Sequence, residues 1–326
     1  MNSRLFALAL IGLAAGIDPA LAQGAPTKIT FLTNYVFNGR HAPFFVGVEK
    51  GFYKEAGFDV TIQPATGSGF VITAIDGGKA DYGMADVASV AQGIAKGAKV
   101  KAFMVYTDAT TNGLASLTPF PTPESVVGKK IAAAQTDSVR VILPIIFDAH
   151  HLDPAKIEWQ AADPGVYASL LLSGQVDLYT ATSDGDVPAL IKVAQPQGKT
   201  VHFASFADWG YDIFGYVLVG AADNVTKNPA EAKSFAEATK KAVAYAIDHP
   251  DETAEIMVKA NPTMNLDTVK TQWRETIKSM KTAYVDKNGY GAATDDRLQR
   301  SIDLVKKALK LDATLTPADI YVHLSN

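Results

Sequence analysis

The chain has 326 residues, of which 48% are apolar and 20% are charged, so it can bury a core sufficient for about two domains. The formal net charge is −4, and no block of lysines and arginines is interleaved with aromatic residues, which argues against a nucleic-acid partner. Because the chain contains no cysteine, disulfides, cysteine nucleophiles and cysteine-ligated metals are excluded.

The first 22 residues predict an export signal. Arg4 precedes an apolar stretch from Leu5 to Ile17, and residues 20–22 (Ala-Leu-Ala) form a small-residue cleavage site before Gln23. The apolar stretch is too short to span a bilayer as a stable helix. We therefore expect a secreted, periplasmic protein with a signal peptide at residues 1–22.

From Lys28 the sequence alternates short apolar runs with helical patterns, which predicts βαβ units and parallel sheets covered on both faces. The first block has predicted strands at 29–34, 59–64, 81–85 and 100–106, and predicted helices at 44–56, 70–77 and 89–96. Prolines at 119, 121 and 123 then predict an extended crossover, because proline disfavours helix at the preceding residue.

A second block follows the crossover, with predicted strands at 130–134, 157–161, 177–182 and 200–206, and predicted helices at 138–150, 166–172 and 187–194. A strand at 214–219 is predicted to return the chain to the first block, where further amphipathic helices up to residue 311 pack. We predict two α/β lobes joined by two crossings: residues 28–115 and 220–326 form lobe 1, and residues 116–219 form lobe 2. A ligand should bind between the lobes at the carboxyl ends of the strands, and the lobes can close about it as a hinge.

Polar and aromatic groups cluster at the predicted strand ends. The candidates are Asn34, Tyr35, Phe37, Asn38, Arg40, His41, Gly67, Ser68 and Asp86 in the first lobe, and Thr136, Ser138, Asp184, Asp208, Trp209 and Tyr211 in the second. Taken singly, a Ser, Thr or Asp at such a position is more often a helix N-cap, and a lone histidine is more often structural. A binding function is favoured because all of these residues fall on one rim, where rings can stack a flat ligand and amides can bind its edge.

Common enzyme signatures are mostly absent from the sequence. Residues 67–69 (Gly-Ser-Gly) lack the flanking pattern of a nucleophile elbow, and neither a phosphate-binding loop nor a His-Glu-x-x-His motif occurs. We therefore predict that the chain is not an enzyme and binds no cofactor and no metal.

Residues 34–53 (NYVFNGRHAPFFVGVEKGFY) resemble the opening motif of periplasmic binding proteins for the thiamine pyrimidine precursor. That motif is Asp-Trp-x-x-Asn-x-x-His before a helix ending Glu-Lys-Gly-Tyr/Phe, and Asn38, His41 and residues 49–51 match it. Residues 78–86 and 174–177 resemble later family blocks, so the resemblance covers about residues 28–320.

The resemblance implies the periplasmic binding protein type II fold and a monomer that presents a small heteroaromatic solute to the membrane permease of an ABC importer. It implies stacking on Tyr35, Phe37, Trp209 or Tyr211, and hydrogen bonds from a polar set comprising Asn38, His41, Ser68 and Asp208. The remaining candidates, Asp86, Thr136, Ser138 and Asp184, are weaker.

Two alternatives stay open. Asn34 and Tyr35 replace the family's Asp and Trp, and Arg40 replaces a small or polar residue, which shifts the expected preference toward an anionic or carbonyl-bearing ring. The first alternative is thus a receptor for an alkanesulfonate, taurine or nitrate, held by Arg40 or Arg140. The second is an enzyme like the related eukaryotic pyrimidine synthase, with His41 as a base or sacrificial group, although this chain lacks that enzyme's cysteine-rich segment.

Overall fold

A computed structural model describes residues 25–310 and 314–324. The predicted signal peptide lies outside the described residues. Ten strands alternate with helices along the chain. The strands are β1 Thr27–Leu32, β2 Phe58–Gln63, β3 Tyr82–Asp86, β4 Val100–Val105, β5 Asn112–Ser116, β6 Lys130–Ala133, β7 Glu158–Ala161, β8 Leu178–Thr182, β9 His202–Ser205 and β10 Tyr216–Ala221.

Fourteen α-helices occur in the described residues. They are α1 Ala42–Glu49, α2 Phe52–Glu55, α3 Ser68–Asp76, α4 Val87–Ala95, α5 Val139–Ala149, α6 Tyr167–Leu172, α7 Asp186–Ala194, α8 Ala222–Lys227, α9 Pro229–Asp248, α10 Pro250–Ala260, α11 Leu266–Lys278, α12 Ala283–Asn288, α13 Asp295–Leu309 and α14 Pro317–Ile320. Short 3-10 turns lie at Gly39–His41, Pro123–Val126, Pro154–Lys156, Pro164–Val166 and Gln195–Gln197. In this part of the chain, no helix has the length and apolarity needed to cross a membrane.

The strands form two five-stranded sheets, with the orders β2-β1-β3-β10-β4 and β7-β6-β8-β5-β9. Both sheets are mixed, whereas the sequence predicted parallel ones: β10 runs antiparallel to β3 and β4, and β5 runs antiparallel to β8 and β9. The reason is the route of the chain. A strand that enters a sheet from the other lobe arrives at the edge where the parallel strands end, and it therefore runs in the opposite direction.

The chain changes sheet between Val105 and Asn112 and again between Ser205 and Tyr216. The lobe boundaries at residues 115/116 and 219/220 stay a prediction beside these observed changes. Arg297 of α13 contacts both crossings, because it pairs with Asp108 of the first and lies 4.5 Å from the ring centroid of Phe214 in the second. One helix therefore connects the two crossings.

Apolar residues explain why the elements pack as they do. Val269, Trp273 and Thr276 of α11 are buried at the spacing of one helix face, and Asn265 caps this helix by accepting the Thr268 N–H at 3.1 Å. The predicted helix at 44–56 is in fact two helices, because Gly51 adopts φ +77° between them. The packing of α11 also places Gln272 of the same helix at the boundary between the two sheets.

Candidate functional site

The turn after β1 is held together by hydrogen bonds among its own residues. Asn38 caps the 3-10 turn by accepting the Arg40 N–H at 3.0 Å, and His41 Nδ1 accepts the Asn38 N–H at 3.2 Å. Because Nδ1 is an acceptor, the ring proton is on Nε2, which donates to Asn34 Oδ1 at 3.0 Å. Burial, together with the nearby guanidinium of Arg40, lowers the pKa of His41 well below its usual value. Asn38 and the neutral imidazole of His41 therefore hold the turn in place. Both ring nitrogens of His41 are already bonded, so none is free for the predicted hydrogen bond to a ligand.

Arg40 crosses the boundary between the sheets. Its Nε donates to Asp184 Oδ2 at 2.8 Å and its Nη2 donates to Asp184 Oδ1, and both side chains have no exposed surface. Asp184 follows β8 of the second sheet and also accepts the Thr276 hydroxyl at 2.8 Å. Although burial by itself would raise the pKa of Asp184, the pairing with Arg40 holds that pKa below its ordinary value. The result is a buried, bidentate ion pair between the two sheets.

Further contacts close the cleft around this pair. Gln272 of α11 accepts the Gly39 N–H at 2.8 Å and donates to the Gly185 carbonyl at 2.6 Å. On the other side, the Gly69 N–H donates to the Thr136 carbonyl at 3.0 Å. Polar contacts thus join the two lobes at three places near the carboxyl ends of their strands, so the structure is a closed form of the protein.

Between these contacts lies a small polar cavity. About 20 Å³ of it is open to the centre of a water molecule, which suits about one water, so a solute with a ring requires the lobes to move apart. Five of the predicted site residues line the cavity: Asn34, Tyr35, Arg40, Gly67 and Ser138. Six other polar or aromatic residues that line the cavity were not among the candidate binding residues: Asn112, Asp137, Thr180, Thr182, Asp186 and Tyr216.

Two residues that line the cavity each carry a donor that lacks a partner within the described part of the chain. Arg40 Nη1 and Tyr35 Oη are both buried and make no hydrogen bond. The Arg40 guanidinium lies 4.6 Å from the ring centroid of Tyr216, so a tyrosine supports it from one side. Because an unpaired buried polar atom costs about 1–3 kcal/mol, these two atoms indicate a site that a ligand can satisfy.

Two carboxylates face the same cavity. Asp137 accepts the Val139 N–H at 2.9 Å and the Thr180 hydroxyl at 2.7 Å. Asp186 accepts the Thr182 N–H at 2.9 Å and the Thr182 hydroxyl at 3.0 Å. Burial raises the pKa of Asp137 and raises the pKa of Asp186 to about 6.

A third acid, Asp86, serves the scaffold. Its Oδ1 accepts the Ala88 N–H at 2.9 Å as the N-cap of α4, and its Oδ2 accepts from Asn112 at 3.2 Å. Ser68 Oγ accepts the Asp86 N–H at 2.9 Å, so Ser68 is bonded inside the first lobe. Burial raises the pKa of Asp86 to about 7. Neither residue lines the cavity: Asp86 is a helix cap, whereas Ser68 is the first residue of α3 and its hydroxyl binds the backbone of Asp86.

The other aromatic candidates lie away from the cavity. Phe37 packs against Phe45 at a centroid distance of 5.2 Å, and Trp209 packs on Phe206 at 5.7 Å while donating its indole N–H to the Pro121 carbonyl. Contrary to the prediction that a ligand stacks on Phe37 or Trp209, both rings are used for packing and neither lines the cavity.

The other three predicted residues do not line the cavity either. Asp208 is exposed beside Trp209 in a groove on the second lobe, which is away from the cleft where it was predicted to bind a ligand. Thr136 lies at the lobe contact, where its hydroxyl is 3.1 Å from that of Thr66. Tyr211 is buried, and its hydroxyl has no partner in the described residues, but it does not line the cavity.

Comparison with known proteins gives a family and a fold. A family model described as NMT1/THI5 like matches residues 38–253. The 4-amino-5-hydroxymethyl-2-methylpyrimidine phosphate synthase THI13 of Saccharomyces cerevisiae is 25% identical over 258 residues, covering 76% of this chain and 75% of the yeast protein.

Two solved structures have the same architecture. A protein from Bordetella bronchiseptica RB50 matches with a TM-score of 0.72 at 19% identity, over 92% of this chain and 95% of its own. The alkanesulfonate-binding protein SsuA from Xanthomonas axonopodis pv. citri, bound to MOPS, matches with a TM-score of 0.70 at 13% identity, over 92% and 99%. The predicted periplasmic binding protein fold is confirmed.

The prediction that the chain is not an enzyme is wrong. The matching curated relatives, from Saccharomyces cerevisiae, Candida albicans and Legionella pneumophila, are named as pyrimidine phosphate synthases. The motifs whose absence supported the prediction belong to other enzyme families, so their absence carried no information about this one.

Proposed function

Because the chain belongs to the NMT1/THI5-like family, we propose that it captures a small planar heteroaromatic solute between its two lobes. The proposal includes export to the periplasm and delivery of the solute to the permease of an ABC importer. Capture proceeds by a shift of population from an open form, which admits the solute, to a closed form, which surrounds it.

One observation carries the proposal: two residues that line the cavity between the sheets, Arg40 and Tyr35, each carry a buried donor without a partner, Nη1 and Oη respectively. The rings of Tyr35 and Tyr216 also line it, and each can cover the face of a flat solute. Asn34 and the carboxylates of Asp137 and Asp186 can bind the solute's edge. A cleft with aromatic walls and convergent polar groups is the usual form of a small-molecule site.

Isothermal titration calorimetry with 4-amino-5-hydroxymethyl-2-methylpyrimidine, nucleobases and aromatic acids tests the proposal. We expect at least one planar ring to bind, and Tyr35→Phe to weaken that binding about 3–10-fold through loss of one hydrogen bond. Tyr284→Phe is the matched control, because the Tyr284 hydroxyl bonds Thr294 at 3.3 Å outside the cavity. If no planar ring binds to the wild-type protein, the proposal fails.

Synthesis of a pyrimidine phosphate is the second candidate, favoured by the names of the curated relatives. Growth of a bacterium that requires the pyrimidine separates the two candidates. Growth without any added pyrimidine, when residues 23–326 are made in the cytoplasm, supports synthesis. Improved growth only at low external pyrimidine, and only with the full chain and its importer, supports capture.

A further inference from the structure

The charges around the cavity do not match the expected preference for an anion. The acidic and basic side chains that line it are those of Arg40, Asp137 and Asp186. Arg40 is already neutralised by two contacts with Asp184, so the cavity has an excess of two carboxylates. An anionic solute would gain one donor, Arg40 Nη1, and would face two negative groups.

The second guanidinium expected to hold an anion is also occupied. Arg140 donates from Nε to the Ala134 carbonyl at 2.8 Å and from Nη2 to the Ala133 carbonyl at 2.9 Å. Its guanidinium lies 4.8 Å from the ring centroid of Trp159. Arg140 therefore supports the end of β6, and it does not line the cavity.

The two carboxylates have hydrogen bonds but no ion pair within the described residues. Asp137 and Asp186 accept only neutral N–H and O–H groups, and neither forms an ion pair within the described residues. Both hydrogen bonds of Asp186 go to Oδ2, so its Oδ1 remains available to a further donor. Burial raises the pKa of both acids, although the guanidinium of Arg140 lowers the pKa of Asp137 in part and that of Arg40 lowers the pKa of Asp186 in part, so neither acid has a paired countercharge. A positively charged group between them would supply that charge.

We propose that the solute carries a cationic, N–H-rich edge of the amidinium type that lies against Asp137 and Asp186, with an acceptor atom beside it facing Arg40 Nη1 and Tyr35 Oη. This inference rests on the proposed capture of a planar solute and adds its charge. An amino-substituted, protonated nitrogen heterocycle has such an edge, whereas a sulfonate or nitrate has acceptors only. Selectivity arises because two carboxylates repel acceptors and pair with donors.

Three probes of the same shape test the charge preference by calorimetry at pH 7.5: benzamidine is a cation, benzamide is neutral and benzenesulfonate is an anion. We expect benzamidine to bind at least tenfold more tightly than benzamide, and benzenesulfonate to give no binding heat. Asp186→Asn should weaken benzamidine at least tenfold and leave benzamide within twofold. Asp303→Asn, an exposed site on α13, makes the same chemical change and should alter none of the three.

The outcomes separate this inference from the proposed function. Benzenesulfonate that binds as tightly as benzamidine, or benzamidine affinity that is unchanged in Asp186→Asn, overturns the charge preference and leaves solute capture standing. If neither these probes nor the planar solutes of the earlier titration bind, capture itself fails and the inference fails with it. Asp137→Asn provides a second variant should thermal melting show that Asp186→Asn is unfolded, and it should also weaken benzamidine at least tenfold.

Discussion

Asp184→Asn should open the cleft. Arg40 has no exposed surface, and Asp184 is its carboxylate partner through Nε at 2.8 Å and through Nη2. Removing one partner of a buried ion pair costs about 3–5 kcal/mol, because the other charge is left uncompensated. Asparagine can still accept one hydrogen bond from Arg40, so we expect the lower end, about 3 kcal/mol. At about 1.4 kcal/mol for each factor of ten, the ratio of closed to open molecules should fall roughly 100-fold.

Opening relieves this cost without unfolding either lobe. Arg40 follows β1 of one sheet and Asp184 follows β8 of the other, so separation of the sheets returns the guanidinium to water. Small-angle X-ray scattering should therefore show a larger radius of gyration for Asp184→Asn, while far-ultraviolet circular dichroism stays unchanged. Asp212→Asn is the matched control, because Asp212 is 85% exposed and lies 3.5 Å from Arg297.

The double variant Arg40→Met/Asp184→Leu completes the test. It removes both charges, so no unpaired ion remains and the cleft should close as in the wild type. Identical scattering and identical melting temperatures for Asp184→Asn and the wild-type protein would refute the argument that this pair holds the lobes together.

Two further predictions concern the same cleft. The pKa of Asp186 is raised to about 6 and that of Asp137 is also raised, while Arg40 stays charged, so protons compete with a bound cation for these acids at low pH. Benzamidine binding measured by calorimetry should therefore be about tenfold weaker at pH 5 than at pH 8. A pH-independent affinity would contradict this. Gly67→Ala should hold the lobes apart and abolish solute binding. Gly67 has φ +152°, and a Cβ added to it would overlap the carbonyl oxygen of Thr136 in the second lobe. Gly78→Ala, at φ +65° with open space around it, should cost stability alone, and equal scattering profiles for the two variants would refute the steric argument.

Several features of the site could be predicted from local sequence. The segment 34–41 follows an apolar strand and precedes a helix, so its position at the carboxyl end of β1 follows from the alternating pattern alone. Asn34, Tyr35 and Arg40 were found in this way, and all three line the cavity. Asp137 lies at an equivalent position before α5, but an acid there has the same sequence signature as a helix cap, and its Oδ1 does bond the Val139 N–H.

Other features depend on residues that are distant in the chain. Asp184 was expected to bind the ligand, yet it neutralises an arginine 144 residues away. Gln272 joins both lobes, although its helix shows only an amphipathic pattern in the sequence. Trp209 and Phe37 were expected to stack a solute, but an aromatic ring at a strand end has no local signal that separates packing from recognition.

The sequence by itself determined the alternation of strands and helices, the two-lobed fold and the rim on which a ligand can bind, because these depend on local periodicity and on the direction of parallel strands. Only the tertiary structure decided the charge of the cleft. The net charge that a solute meets is the sum over side chains from both lobes, and closure buries Arg40 against Asp184 while Asp137 and Asp186 form no ion pair within the described residues. A lone arginine at the rim indicates an anion site, whereas the pairing of the same arginine with Asp184 is the basis of the proposed preference for a cation.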